Sequence, residues 1–219
     1  KCIIDNIDTS ATVLVDPTRV MICKPQDFEF PKDGLHIRWP DPPVEQENRL
    51  LHHKTSAALA FVRANQLNRV TMGGPKCRFG IIATGKTYLD VLQALNDLGI
   101  EDDQAQEIGL RLLKVAMPWP LEKQVIRDFA EDLEEILVVE EKRSVMENQI
   151  KEQLYNWRAD VRPRVVGKFD EYGALIFPSA GELTPSHIAR VIAKRIKGFS
   201  LSESFSRHLT ERLIFLEER

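Results

Sequence analysis

Between Gly80 and Thr87 the stretch "RFGIIATGKT" (78–87) spells G-x-x-x-x-G-K-[ST]. In nucleotide hydrolases that spacing forms a loop whose backbone N–H groups cradle phosphate oxygens, with the lysine on the terminal phosphates and the hydroxyl on magnesium. Further along, "ILVVEE" (136–141) has the form of a strand ending in metal-holding acids. The residues between the two glycines argue against the loop. Ile81, Ile82, Ala83 and Thr84 would have to turn with their N–H groups inward, yet adjacent isoleucines suit the inside of a sheet. The preceding strand would then have to be "PKCRF", which is polar and carries a proline. The pattern therefore predicts strand 79–83, turn 84–86 and then a helix, with Gly80 a strand glycine. "ILVVEE" reads in the same way, as a buried strand whose acids emerge at its C-terminal end.

A narrower candidate survives. Thr84, Gly85, Lys86 and Thr87 stand at a strand's C-terminal end and a helix N-terminus, where free N–H groups and the helix dipole favour an anion. In open α/β sheets that edge is where ligands or neighbouring domains bind. The simpler alternative is a helix cap with a solvated lysine, since Thr87-x-x-Asp90 reads as a capping box. Other candidates are weaker. His52 and His53 are adjacent in a helix and point about 100° apart, so they cannot chelate one metal. His36, His187 and His208 lack acids at ligand spacing, and "EDLEE" (131–135) reads as a solvated helix end. No Ser/His/Asp or Cys/His set and no carboxylate pair stands out, so the sequence offers no catalytic residue and no metal site of its own.

The elements that position the turn follow from periodicity. Strands are expected at 79–83, 111–116 ("RLLKVA"), 136–140 ("ILVVE") and 164–168 ("RVVGK"), alternating with helices. Tyr88, Val91, Leu92, Leu95 and Leu98 form one helix face, stopped by Gly99. Leu121, Val125, Phe129 and Leu133 form the next. Ser144-x-x-Glu147 caps a third, on Met146, Ile150, Leu154 and Trp157. Thr184 and Pro185 open a fourth, on Ile188, Val191, Ile192 and Ile196. Continuous apolar strands need cover on both faces, so the fold is α/β with a doubly wound, mostly parallel sheet over 76–197. Upstream, "ATVLVD" (11–16) and "RVMIC" (19–23) read as short strands. Residues 25–43 carry five prolines, read as an extended arm with Trp39 as anchor, and a helix follows to about Asn65, buried through Leu51, Ala58, Phe61 and Val62. Downstream, Phe205, Leu209, Leu213 and Leu216 share a face with no partner in the sequence, which makes 198–219 a linker or docking helix.

The 219 residues are 43% apolar and 29% charged, those of a globular chain. A net charge of −3 argues against nucleic acid as partner, and runs such as "AALAFV" (57–62) are too short to span a bilayer. Cys2, Cys23 and Cys77 are odd in number and widely spaced, which suits a reducing cytoplasm and not a disulfide framework, a zinc site or an iron–sulfur site built from this chain alone. The opening on Lys1 and the ending "ERLIFLEER" suggest a piece of something longer.

Four stretches, "RFGIIATGKTYLDVLQAL", "LRLLKVAMPWPLEKQVIRDFAEDLEEILVVEEKR", "LYNWRADVRPRVVGKFDE" and "GELTPSHIARVI", resemble consecutive parts of the fused indolepyruvate:ferredoxin oxidoreductase family. More distantly the order is similar to the transketolase C-terminal domain of thiamine-diphosphate enzymes, with its T-G turn, Pro-rich "MPWPLE" turn and "VVEE" strand end. "LHIRWPDPPVEQENRLLHHKTSAALAFVRANQLNRV" resembles the segment before that domain. The resemblance implies residues 1–24 as the end of a pyrimidine-type domain, 25–75 as a proline-rich linker and helix, and 76–197 as the transketolase C-terminal-like domain. It also implies a parent that converts an aryl 2-oxoacid and coenzyme A to acyl-CoA and CO2. The parent would use thiamine diphosphate, magnesium and iron–sulfur clusters and reduce ferredoxin. Its other domains and a second copy are the implied partners. No G-D-G…N stretch and no cysteine cluster falls within 1–219, so the chain itself is expected to be structural and inactive. A free-standing ligand-binding module with an anion site at 84–87 and a nucleotide hydrolase using Lys86 are the competing readings.

Overall fold

The apolar runs form strands whose side chains alternate between two cores. In β2 (Phe79–Thr84), Phe79, Ile81 and Ala83 enter one core and Ile82 the other, all four fully buried. The computed structural model describes residues 12, 14–36 and 38–217. Its sheet also contains β1 (Arg69–Met72), β3 (Leu110–Val115), β4 (Glu135–Val139) and β5 (Arg164–Val166), in the order β1-β3-β2-β4-β5. Neighbours run parallel except at the β1 edge, which is antiparallel to β3. Helices α3 (Gly85–Asp97), α4 (Asp102–Ile108), α7 (Pro185–Ile196) and α8 (Glu203–Glu217) supply residues to the first core. Helices α5 (Lys123–Ala130) and α6 (Met146–Leu154) supply the second. With both faces covered, this is the doubly wound, mostly parallel α/β sheet that the periodicity predicts.

Gly80 pairs with Arg111 on one side and Ile136 on the other, so the phosphate-loop pattern lies over a central strand. A Cβ at Gly80 would meet Leu133 Cδ1 at 2.6 Å and Phe129 Cε1 at 2.8 Å. The glycine is there because α5 and the turn after it press directly on the strand.

Several upstream expectations need correction. Residues 19–23 form no strand, and of "ATVLVD" residues 11 and 13 lie outside the described residues while the rest forms no ladder. A strand needs a partner, and Leu14, Val15, Val20, Met21 and Ile22 are all exposed. Trp39 is exposed and does not anchor the arm. The expected helix is interrupted: α1 (Pro43–Arg49), a π-helical turn (Leu50–Lys54) and α2 (Thr55–Ala64) follow one another. The wider π turn shifts the apolar stripe, so Ala57, Ala60 and Val62 are buried while Leu51 and Phe61 are exposed. Strand β1 went unforeseen, and it starts the sheet at Arg69, ahead of the expected 76.

Downstream, α8 has a partner after all. Phe205, Leu209 and Leu216 are buried in the first core, and Arg212 Nε donates to the Asp97 carbonyl at 2.6 Å. The chain turns back at Phe199–Leu201 and covers the surface left open beside α3 and α4. Glu135 likewise belongs to β4 and not to a solvated helix end. It is buried and paired with Arg195 and with Arg164 (3.3 Å), and Glu171 joins the same cluster.

Two substitutions check this packing. Gly80→Ala should lower stability by about 1–3 kcal/mol, read as a shift in denaturant midpoint with unchanged slope. Leu209→Ala should cost about 2–5 kcal/mol, whereas an undocked helix would leave the midpoint unmoved.

Candidate functional site

The C-terminal ends of β2, β3, β4 and β5 gather at one edge, where the sequence places its candidate. Thr84, in extended conformation, is the N-cap residue of α3, but its side chain makes no cap bond. Its hydroxyl donates instead to the Val115 carbonyl at 2.7 Å and so ties β2 to β3. Thr87 is the third helical residue and not a cap. Its hydroxyl lies 2.8 Å from the Thr84 carbonyl and 3.1 Å from that of Val139 on β4. The predicted capping box is therefore absent, because the strand carbonyls lie within reach of both hydroxyls. Lys86 is not solvated: its ammonium meets Asp90 at 2.8 Å and the Leu183 carbonyl at 3.1 Å, and its side chain is 13% exposed. Gly85 adopts φ +53° with open space where a Cβ would stand. The structure thus brings Thr84, Gly85, Lys86 and Thr87 together, with three of the four side chains hydrogen-bonded inward.

At the end of β4 the acids do organise something, though not a metal. Glu140 is buried, and its carboxylate accepts from the N–H groups of Val145 (3.1 Å), Met146 (2.7 Å) and Glu147 (3.0 Å). A strand-end acid therefore caps α6, in place of the expected Ser144. Lys168, buried just beyond β5, donates its ammonium to the Glu140 carbonyl and its N–H to Glu147 at 2.9 Å. Lys151 pairs with the other Glu147 oxygen at 2.6 Å. At Gly167 an added Cβ would come within 2.4 Å of Glu147, so the cluster requires that glycine. Burial pushes the Glu140 carboxyl up, against the pull of the three N–H donors. Burial likewise pushes the Lys168 ammonium down, against the attraction of Glu140 and Glu147.

The "MPWPLE" turn after β3 is held by amides that sequence reasoning missed. Asn68 accepts from the N–H groups of Ala116 (2.9 Å) and Met117 (3.1 Å). Gln149 spans Pro118 and Leu121 at 2.8 Å each, and Gln153 reaches the Leu121 carbonyl at 3.1 Å. The signal available in the sequence was the i, i+4 spacing of Gln149 and Gln153 on an otherwise apolar face. Glu122 caps α5 through the Val125 N–H at 2.8 Å and pairs with Arg63 at 3.0 Å.

The described residues do not fit the groups that the resemblance implies. Among them no three His, Cys, Asp or Glu side chains converge as a metal site. An iron–sulfur cluster held by cysteines needs four thiolates, whereas the buried Cys77 thiol bonds to Gly74 and Cys23 is exposed ahead of the arm. Histidines 52 and 53 are exposed on the π turn, and His187 contacts the Ile176 carbonyl at 3.1 Å.

Residues 68–219 match the family model for the indolepyruvate ferredoxin oxidoreductase middle domain. Indolepyruvate oxidoreductase subunit IorA of Methanothermobacter thermautotrophicus is 30% identical over 146 residues, which cover 64% of this chain and 22% of that protein. The subunit of the same name from Thermococcus kodakarensis is 32% identical over 122 residues, covering 56% of this chain and 16% of the relative. The matched region is thus about a fifth or less of these curated relatives' length. Among solved structures, 2-oxoglutarate:ferredoxin oxidoreductase from Magnetococcus marinus aligns with a TM-score of 0.40 at 18% identity, covering 71% of this chain and 24% of that one. The inactive β4 tetramer of a split-gene transketolase aligns with a TM-score of 0.38 at 15% identity, covering 59% and 41%.

The geometry of Glu140 has a measurable consequence. Its folded-state pKa lies above the ordinary 4.5, so the folded protein holds this proton to higher pH than the unfolded chain does. Its contribution is therefore complete below 4.5 and is lost as pH rises through the raised value. Chemical denaturation of wild type and Glu140→Gln across this window should show the wild type losing more stability per pH unit than the variant.

Proposed function

The chain belongs to the indolepyruvate ferredoxin oxidoreductase middle-domain family, and from that premise we propose that it is the structural, transketolase C-terminal-like domain of a larger 2-oxoacid:ferredoxin oxidoreductase. In this reading the whole enzyme decarboxylates an aryl 2-oxoacid, transfers the acyl group to coenzyme A and reduces ferredoxin. Thiamine diphosphate, magnesium and iron–sulfur clusters would be held by other parts of that enzyme. The domain would pack against those parts and against a second copy, in the cytoplasm. The observation that carries the reading is the match over 68–219, which coincides with the folded unit running from β1 to α8.

The edge chemistry supports a structural role. Where an open α/β sheet would offer free polar groups to a ligand, Thr84, Lys86, Thr87, Glu140 and Lys168 are bonded to neighbouring strands and loops. The hydrolase alternative fails on geometry, because Ile81 and Ile82 are strand residues with no exposure. An anion at Thr84–Thr87 remains as a second reading, favoured by the open space beside Gly85 at the start of α3.

Two assays test these readings. Supplied with thiamine diphosphate, magnesium, coenzyme A, indolepyruvate and ferredoxin, the 219-residue chain should reduce no ferredoxin, while the longer polypeptide containing it should. Turnover by the chain alone would overturn the structural role. Saturable sulfate binding that disappears in Lys86→Ala would establish the anion site, and a non-saturating response would remove it.

A further inference from the structure

A cavity of about 670 Å³ opens between the end of β1 and α4. Its apolar floor is made by Met72 and Leu110 on the sheet and Ala105 on the helix, and all three side chains meet the first core. Helix α4 separates this cavity from another. Asp102 and Gln106, four residues apart and so on one face, line the first. Glu101, Gln104 and Glu107, on the opposite flank, line the second, which α8 closes with Phe205 and His208. In the second cavity the polar groups are engaged. Glu101 and Gln104 form the capping box of α4, and Glu107 accepts from the Ser202 N–H at 2.7 Å.

In the first they are not. Lys76, Asp102 and Gln106 make no side-chain hydrogen bond or ion pair among the described residues. The Gln106 side chain lies beside Gly74, where an added Cβ would stand 3.9 Å from its Cγ. One ammonium and one carboxylate thus line the same groove without forming an ion pair. A ligand of single charge would satisfy one of them and be repelled by the other. A zwitterion satisfies both. The volume lies within the range of small-molecule pockets, and the floor of Met72, Ala105 and Leu110 calls for a hydrocarbon side chain.

We propose that the groove between β1 and α4 binds an apolar α-amino acid, whose carboxylate accepts from the Lys76 ammonium and the Gln106 amide. The ligand's ammonium donates to the Asp102 carboxylate, and its side chain lies on Met72, Ala105 and Leu110. The two charge-assisted contacts at opposite walls fix its direction in the groove.

L-Leucine titrated into the ¹⁵N-labelled chain tests this, with the Gly73 and Gly74 backbone N–H resonances as reporters. A saturable shift in the millimolar range is expected, as suits an open groove with two exposed charged contacts. Isocaproate, which lacks the ammonium, and isoamylamine, which lacks the carboxylate, should each bind about fivefold more weakly. Lys76→Gln should weaken leucine about fivefold and leave isoamylamine unaffected. Asp102→Asn should weaken leucine by a similar factor and leave isocaproate unaffected. Both positions are exposed, so neither change disturbs the core, and the remaining amide resonances report an intact fold. A non-saturating response, equal affinity for either singly charged analogue, or unchanged leucine affinity in either variant would each overturn the proposal.

Discussion

The carboxylate of Glu140 is the point on which the C-terminal edge of the sheet depends. It ends β4 and accepts the first free N–H groups of α6, so the strand and the helix after it share one buried charge. Its own backbone carbonyl takes the Lys168 ammonium, which brings the end of β5 to the same place. Glu147, in the first turn of α6, then receives the Lys168 N–H and the Lys151 ammonium. Charges buried this deeply persist only when nearly every lone pair and proton has a partner, and here the partners come from three consecutive elements. Removing one member leaves the others buried and unpaired. That asymmetry makes the cluster a specifier of how β4, α6 and β5 meet, more than a source of net stability.

The same logic recurs along the edge with neutral groups. The hydroxyls of Thr84 and Thr87 bond strand carbonyls of β3 and β4, and the Lys86 ammonium reaches the loop before α7. A glycine–lysine–threonine sequence at a strand-to-helix turn therefore serves two different physical ends. In a phosphate loop the N–H groups and the lysine face outward to a ligand; here the lysine is neutralised by Asp90 within its own helix. The two cases differ at the residues before the turn. Isoleucines at 81 and 82 commit the backbone to the sheet, and a committed strand leaves too few residues to wrap an anion.

Apolar periodicity made the sheet legible. The four parallel strands and helices α3, α5, α6 and α7 stand where alternating buried runs and 3.6-residue faces put them, because those patterns record which side of each element meets the core, whereas the short α4 went unforeseen. Thr184 was readable as a cap because its partner, the His187 N–H, is three residues away. The Glu140 cap was not, since an acid six residues before Met146 is not a local signal; it works only once the loop between them has folded back. Strand β1 was missed for a related reason. "RVTM" carries a single β-branched pair and is exposed except at the half-buried Met72, so only its ladder with β3 makes it a strand. Helix α8 was misjudged because its apolar face was visible but its destination beside α3 and α4 was not. In the candidate turn, the sequence identified four residues that do come together, but not the inward direction of their side chains.

A domain that uses its C-terminal edge to hold itself together has consequences for any enzyme containing it. The position that open α/β sheets usually reserve for ligands is occupied by the protein's own carbonyls and ammonium groups. Exposed apolar side chains include Leu14, Val15, Val20, Met21 and Ile22 ahead of the arm, Trp39 on it, and Trp119 on the amide-held turn after β3. Rigid aromatic side chains on well-bonded turns lose little entropy when covered, which favours them as contact points between domains. The division of labour in the molecule is physical: charges and hydroxyls along this edge turn inward to define the fold, and apolar groups such as Trp119 are left outside.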